Sequence, residues 1–400
     1  MSKKKTICFF SGNRAEFGLQ KNIIDQIKKE KIFNYKLIIS GAHVEKYFAD
    51  SIKEINKQKY KKLYIKGISV KLNDPWSTTN AIGKNIIEIT KKLKKINPDI
   101  FLIYADRYES FAAVVASTQS NIPTIHVEGG DKTEGGALDD SLRHAMTKLS
   151  HYHFCTNDDA YKRILKLGEE KWRVINVGFP GCDFKFKKDY EEISSLKKEF
   201  NLKKNQPIII FTYHSVPIKY KSTKKDIRNC LKALTPYVKK NCKVIVTYPN
   251  NDAGGKIIIE EIKKYKKKFK IFKNLLLIKS LGRRKFYGFL NLAKNKYKIT
   301  IVGNSSSGIK DASIFNCPTV NIGERQKGRM RGANVIEAPI NAKKIKSRIL
   351  KTLYDTKYLK MLKKTKSPYD RGLTLRNFIY FIKKFSKINK QKILNKKITY

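Results

Sequence analysis

Three acidic sites in this 400-residue chain have the residue types for chemistry: Asp106-Arg107, Glu128-Gly129-Gly130, and Asp139-Asp140 followed by Ser141-Leu142-Arg143-His144. Carboxylates move protons, and an arginine beside them can hold an anion through two parallel hydrogen bonds. The elements around them suit that use. Residues 99–104 (Asp-Ile-Phe-Leu-Ile-Tyr) read as a strand ending at Ala105-Asp106-Arg107, and the apolar run from Ile122 to Val127 reads as a second, ending at Glu128. In an α/β sheet the carboxyl ends of parallel strands form the ligand-binding edge, so both acids fall there. Asp139-Asp140 opens a helix to about Ser150, where acids favour the positive helix end. Asp139 with Arg143 and Asp140 with His144 are i,i+4 pairs. In an isolated helix these would be surface salt bridges worth roughly 0.2–0.5 kcal/mol.

The length fits two domains of ordinary size. Basic residues number 86 against 34 acidic, a net +52, which usually points to nucleic acid or an anionic membrane. Here 72 of the 86 are lysines spread through every segment rather than gathered into a stripe, so neither partner is expected. Arginines are placed differently: Arg14, Arg107, Arg143, Arg325, Arg329 and Arg331 all fall in or beside loops containing Gly, Ser or acids, where an anion needs donors. Six cysteines without paired spacing suit buried thiols in a reducing cytoplasm. No apolar run approaches the length of a membrane span.

Along the chain, strand Thr6–Phe10, helix Gly18–Glu30 and strand Tyr35–Ser40 make a β-α-β opening. The turn between the first two puts Arg14 at a helix N-terminus, a phosphate-binding position, without the three-glycine dinucleotide fingerprint. His43, after the second strand, either faces the same cleft or is structural. His144, His151 and His153 invite a metal reading, but no acid completes a ligand spacing, so no metal is expected. Strands at 152–156 and 174–177 complete a first domain, residues 1–184. A second domain, 185–368, repeats the alternation. Its strand 207–213 ends at His214-Ser215, and strand 243–248 leads to Pro249-Asn250. Strand 297–302 leads to Gly303-Asn304-Ser305-Ser306-Ser307-Gly308, whose backbone N–H groups and hydroxyls suit an anion. Strand 319–322 precedes a basic loop, 323–331, placed to meet a diphosphate. Residues 369–400 hold a last amphipathic helix, Thr374–Phe385, and a Lys-rich tail from Ser386 that reads as mobile. The whole is α/β, with two Rossmann-like domains facing across a cleft, acids on the first and anion loops on the second.

Several segments together resemble one family. They are Asn13-Arg14-Ala15-Glu16-Phe17-Gly18, Asp106-Arg107-Tyr108-Glu109, His126-Val127-Glu128-Gly129-Gly130, the run Asp139 to Ser150, Tyr248-Pro249-Asn250, Gly303 to Gly308 and Arg325-Gln326-Lys327-Gly328-Arg329. In order and spacing they resemble the UDP-N-acetylglucosamine 2-epimerases over most of residues 5 to 340. The Asp139–Ser150 run and the serine loop are similar to the hydrolysing branch, which releases a free 2-epimerised sugar for sialic or legionaminic acid synthesis. The resemblance implies a GT-B-like fold, a nucleotide held mainly by the second domain, a final helix crossing back to the first, and a cytoplasmic homodimer or homotetramer without a cofactor. It implies catalytic roles for Asp106, Glu128 and Asp139, leaving-group contacts for Arg107 and His214, and an active-site role for His43. Nucleotide contacts are implied for Arg14, Ala15, Asn250, Ser305, Ser306 and Arg329. Asp311 stands where the family usually has a ribose-binding glutamate, one methylene longer. The family reaction expels UDP from C1 as C2 loses its proton, then adds water to the glycal. The alternatives are a non-hydrolysing epimerase and, further off, a GT-B glycosyltransferase. N-acetylglucosamine or a 2,4-diacetamido relative, on UDP or GDP, are all open.

Overall fold

In the first strand Ile7 and Phe9 pack in one core and Cys8 and Phe10 in another, and all four are fully buried. A strand buried on both faces needs helices on both, and its sequence then reads as an unbroken apolar run. Ile209 and Phe211, against Ile208 and Ile210, repeat this split in the second half of the chain. The computed structural model describes residues 4–44, 50–65, 76–134, 138–250, 252–295 and 297–399.

The first sheet holds β1 (Lys5–Ser11), β2 (Phe33–Ile39), β3 (Lys62–Tyr64), β4 (Ile100–Tyr104), β5 (Thr124–Val127), β6 (Tyr152–Cys155) and β7 (Val174–Asn176). These pair in parallel in the order β3-β2-β1-β4-β5-β6-β7. The second sheet holds β8 (Ile208–Thr212), β9 (Lys243–Thr247), β10 (Leu275–Ile278), β11 (Ile299–Gly303), β12 (Thr319–Ile322) and β13 (Val335–Ala338). Its order, β10-β9-β8-β11-β12-β13, is again parallel and follows the same winding. Each sheet reverses direction beside its first strand, between β1 and β4 and between β8 and β11. Ligands of doubly wound sheets sit in the crevice at that reversal. The architecture is therefore α/β with two Rossmann-like sheets, as the alternation predicts. Strands β3 and β13 and the helices Asp50–Lys57, Asp158–Lys166 and Thr356–Lys364 went unread in the sequence. The two strands have only three or four residues and no fully buried run, too little for a periodic signal.

The chain returns to the first sheet at its end. Leu375, Phe378, Ile379, Ile382 and Phe385 line one face of the Leu375–Ser386 helix and join the core of the first sheet. Phe385 stacks on Tyr152 at 4.2 Å between centroids, and Phe378 meets Phe154 edge-on at 5.4 Å. Asp183, on the outward crossing, accepts hydrogen bonds from the backbone N–H groups of Thr374 and Leu375, so a buried carboxylate from one crossing caps the helix of the other. Gly178 makes room for the two crossings to touch: its φ is +87°, and a Cβ there would lie 2.6 Å from Thr374 Cγ2.

The Lys-rich tail is docked, contrary to the sequence reading. Arg173 is buried and donates to the carbonyls of Ile393 (2.8 Å) and Asn395 (3.0 Å), satisfying the C-terminal end of the Lys390–Leu394 helix. Lys396 donates to the carbonyls of Lys148 (2.6 Å) and Ser150 (2.8 Å) and pairs with Glu169 at 2.8 Å. The tail lacks periodicity because a few polar anchors hold it, and no apolar stripe is needed. Phe378→Ala is expected to cost the fold about 3–5 kcal/mol, from lost burial and the cavity left behind. Urea unfolding followed by circular dichroism measures this, and an unchanged midpoint would mean that the returning helix is not part of the first core.

Candidate active site

The site begins at two strained strand ends. Ala105 follows β4 with φ +63° and Glu128 follows β5 with φ +70°, both in the left-handed region that side chains rarely adopt. The surrounding structure holds them there. Ala105 N–H donates to the Val127 carbonyl at 3.0 Å and Glu128 N–H to the Phe154 carbonyl at 2.8 Å. His126, fully buried, places Nε2 at 2.7 Å from the Ala105 carbonyl, and burial depresses its pKa to about 3, keeping it neutral. The turns throw Asp106 and Glu128 onto the wall of a cavity of about 390 Å³ between the two sheets.

From the other side, β11 ends at Gly303, where φ is +139° and a Cβ would sit 1.8 Å from the Thr212 carbonyl oxygen. Only glycine lets the strands approach this closely. The contact brings the serine loop against the loop after β8. Asn304 Oδ1 accepts from His214 N–H at 2.7 Å, and its Nδ2 donates to the His214 carbonyl at 2.8 Å. His214 Nδ1 accepts from Asn250 N–H at 3.0 Å, which places the proton of the neutral ring on Nε2.

Asp106, Arg107, Glu128, Asp139, His214, Asn250, Ser305, Ser306, Asp311 and Arg329, all predicted from sequence, line this one cavity. The side chains of Arg14 and Ala15 lie outside those the structure describes, and the helix begins at Arg14, four residues earlier than the apolar spacing placed it. His43 is placed elsewhere: it is fully buried beneath the wall, with Nε2 at 2.9 Å from Ser11 Oγ and its ring edge-on to Phe17. Burial lowers its pKa to about 3. Of the two alternatives left by the sequence, the geometry is the structural one, because the turn at Gly41 folds the imidazole inward.

The charges alternate across the cavity. Arg325 faces Asp139 at 3.7 Å, and Arg329 lies 4.0 Å from both Asp106 and Asp131. Lys310 bonds Glu128 and Asp131, and Arg107 bonds Asp252 in the opposite sense. Burial acts to raise the pKa of Asp106, but Arg143, Arg329 and Arg107 outweigh it and hold it near 2. Asp139 is raised to about 6, chiefly by burial, with Asp106 and Asp252 adding and Arg107 and Arg325 opposing. The environment thus separates a fixed anion from a carboxyl that can exchange a proton near neutrality, the pattern that divides acid and base roles. Among the described residues, the buried Nε atoms of Arg325 and Arg329 have no hydrogen-bond partner. Buried charged donors without acceptors are costly, and a bound anion would satisfy them.

Two sequence readings change. Arg143 makes no surface pair with Asp139: fully buried, it bonds Asp106 and donates to Asp140 (2.9 Å) and the Asp131 carbonyl (2.9 Å). It orients a carboxylate and is not placed for an anion, and Arg331 likewise serves Glu337 and backbone carbonyls. His151 and His153 are held by the Thr124 N–H (3.2 Å) and Glu169 (2.8 Å), and no metal-holding group exists among the described residues. Sequence reasoning assigned no role to Lys310, Glu16, Arg283, Phe286 and Tyr287, all on the cavity wall. Lysine is so abundant here that Lys310 carries no compositional signal. Its place beside Asp311 just after the serine loop was the one clue. Asp311 accepts a hydrogen bond from the Tyr287 hydroxyl, and burial raises its pKa to about 6.

Paired Rossmann-like sheets enclosing acids on one side and anion donors on the other define a GT-B-like enzyme. The family model for UDP-N-acetylglucosamine 2-epimerase matches residues 25–383. A GDP/UDP-N,N'-diacetylbacillosamine 2-epimerase (hydrolyzing) from Campylobacter jejuni is 34% identical over 85% of this chain and 86% of its own. The Legionella pneumophila UDP-N,N'-diacetylbacillosamine 2-epimerase (hydrolyzing) is 29% identical over 84% of this chain and 85% of its own. In fold, the chain is similar to a Neisseria meningitidis UDP-GlcNAc 2-epimerase bound to UDP-GlcNAc, with TM-score 0.74 and 18% identity over 96% of this chain and all of that one. The chain belongs to the UDP-N-acetylglucosamine 2-epimerase family, and it stands with the hydrolysing members.

His214→Ala is expected to lower kcat about 10²–10³-fold, the usual cost of one preorganised donor, while the thermal midpoint stays close to wild type. Near-normal turnover would remove His214 from the leaving-group side. Arg107→Ala should match that loss and also destabilise the protein, because it leaves buried Asp252 without its cation. Glu16 supplies a pH test. Burial, aided by Glu109, lifts its carboxyl from 4.5 to about 8, against the Gly12 N–H, Arg107 and the Ser110 hydroxyl. The folded state therefore holds this proton more tightly than the unfolded chain does. The stability so gained is complete below about pH 4.5 and is lost as pH rises through about 8. Glu16→Gln should flatten the fall in thermal midpoint across that window, and an identical slope in wild type and variant would refute the assignment.

Proposed function

We propose that this protein hydrolyses a nucleoside-diphosphate-linked 2-acetamido sugar to the free 2-epimer and the nucleoside diphosphate. The observation that carries the proposal is the single cavity in which Asp106, Glu128 and Asp139 from one domain face Arg325, Arg329, His214 and the serine loop from the other. A C2 proton is weakly acidic, so its removal must accompany loosening of the C1–O bond to the diphosphate. That demands a base and an anion site at once.

In the first half-reaction a carboxylate takes the C2 proton, the C–H electrons form the C1=C2 bond, and the C1–O pair leaves with the diphosphate. In the second, a carboxylate takes one proton from water as the hydroxyl adds to C1, and a carboxyl gives a proton to the opposite face of C2. One water is consumed overall. Asp139, with its pKa near 6, suits the group that carries a proton between the half-reactions, and Asp106 suits a fixed charge. His214, with a proton on Nε2, and the Arg325 and Arg329 donors suit the departing phosphate. Ser305, Ser306 and Asn250 suit the nucleotide. No cofactor is required by this scheme.

Likeness to the diacetylbacillosamine epimerases named above supports a 2,4-diacetamido sugar as the substrate of this chain, and nonulosonic acid synthesis is the setting we propose. Six free, buried cysteines agree with a cytoplasmic enzyme, and no helix among the described residues is long and apolar enough to cross a membrane. A homodimer or homotetramer is the proposed assembly, by likeness to the family. Proton NMR of the purified protein with UDP-N-acetylglucosamine, and separately with its 2,4-diacetamido-6-deoxy analogue, tests the reading. A free 2-epimer plus UDP, with one solvent deuteron at C2 in heavy water, is the expected result. A nucleotide-linked epimer would move the protein to the non-hydrolysing reaction, and transfer of the sugar to an added acceptor would make it a glycosyltransferase.

A further inference from the structure

Lys310 follows the serine loop, between the short helices Ser306–Ile309 and Asp311–Ile314. It is 2% exposed and lies on the cavity wall. Its Nζ donates to the Glu128 carboxylate and, at 2.8 Å, to Asp131 Oδ2. Among the described residues the Glu128 carboxylate has no other hydrogen-bond or ion-pair partner. The same ammonium lies 5.0 Å from the ring centre of Phe179 and 5.3 Å from that of Tyr369. Phe179 is on the chain's outward crossing between domains and Tyr369 on the return. One side chain of the second domain thus touches the end of β5 and both connections on which the domains would have to move.

Stability alone is a poor reason for this arrangement. A buried ion pair loses in desolvation about what it gains in attraction, and an apolar side chain of the same volume would pack against Phe179 and Tyr369 as well. An ammonium beside a strained carboxylate does something else: it holds the carboxylate in one place and favours its ionised form. The charged groups facing Lys310 are Glu128 and Asp131 from the first domain, Arg329 from the loop after β12, the adjoining Asp311, and Asp106 after β4. Burial above all, with Arg329, pulls the pKa of Lys310 well below the ordinary lysine value, against Asp311 and Asp106. The geometry opposes that loss, because two carboxylates bond the nitrogen directly and two ring faces lie against it, and these contacts are made only by the ammonium.

We propose that Lys310 is a positioning residue: supplied by the second domain, it aims and charges Glu128 only when the domains are closed on the substrate. This rests on the epimerase reading above and deepens it by coupling closure to chemistry. Opening the cleft withdraws the ammonium and leaves Glu128 free to rotate and take a proton from water. The diphosphate is held by other groups, so Lys310 acts on kcat and not on binding.

The test compares wild type, Lys310→Met and Lys310→Arg in kcat, KM and the pH dependence of kcat, with folding checked by circular dichroism. Lys310→Met is expected to lower kcat by about 100-fold, the cost of an ångström of misplacement. Its KM and UDP affinity should change little, while the acidic limb of the kcat profile moves up by about one pH unit or more, because an adjacent cation favours the carboxylate. Lys310→Arg keeps the charge and should restore the wild-type position of that limb even where its bulk lowers kcat. A purely structural role predicts lower stability with an unmoved limb, and that outcome would overturn the proposal. So would equal behaviour of the Met and Arg variants. If wild type turns over no nucleotide sugar, the epimerase reading fails and takes this inference with it. If wild type turns over and Lys310→Met matches it, this inference alone fails.

Discussion

Buried charge shared between two halves of one chain is the constraint on which this structure turns. Asp106, Glu128, Asp131 and Asp139 come from the first domain, and Lys310, Arg325 and Arg329 come from the second to meet them. Arg107 and Asp252 reverse the direction. A desolvated charge without a counter-charge costs several kcal/mol, so the domains cannot come together in any register but the one that pairs these groups. The same requirement makes the closed cavity a site. Arg325 and Arg329 lie 3.7–4.0 Å from Asp139, Asp106 and Asp131 and keep buried Nε donors without a partner, so the cavity has charge and donors to spare for an anion.

Rigid parts hold these groups in place. The left-handed backbone at Ala105 and Glu128 is over-determined by ladder hydrogen bonds and by the neutral His126 beneath it. Across the cavity, Gly303 and the Asn304–His214 pair lock the serine loop to the loop after β8. The crossings between domains are tied equally firmly, with Asp183 capping the returning helix, Arg173 holding its tail and Gly178 allowing the close approach. The crossings meet the site beside Phe179 and Tyr369. Lys310 is there.

Apolar runs and their spacing marked every strand of the two sheets except the short β3 and β13, because parallel strands buried on two faces leave a hydrophobic record. Strand-end position was enough to select Asp106, Glu128 and the serine loop, since the topology of such sheets sends those ends to one edge, whereas His214 was singled out by the family resemblance. Position was not enough for His43, which also follows a strand but is turned inward by a glycine-led turn.

Pairing was decided by the tertiary structure alone. Helical spacing offers Arg143 to Asp139, yet Arg143 is buried against Asp106, 37 positions away, and Asp139 answers to Arg325. Local periodicity describes which face a residue takes and carries nothing about a partner contributed by a distant strand. For the same reason Lys310 passed unseen among 72 lysines, and a tail without periodicity read as loose although Arg173, the carbonyls of Lys148 and Ser150, and Glu169 anchor it. Electrostatic identity is likewise tertiary. Asp106 and Asp139 are the same residue type, one at a strand end and one at a helix start, and only burial and the arginines brought to each hold one pKa near 2 and lift the other to about 6.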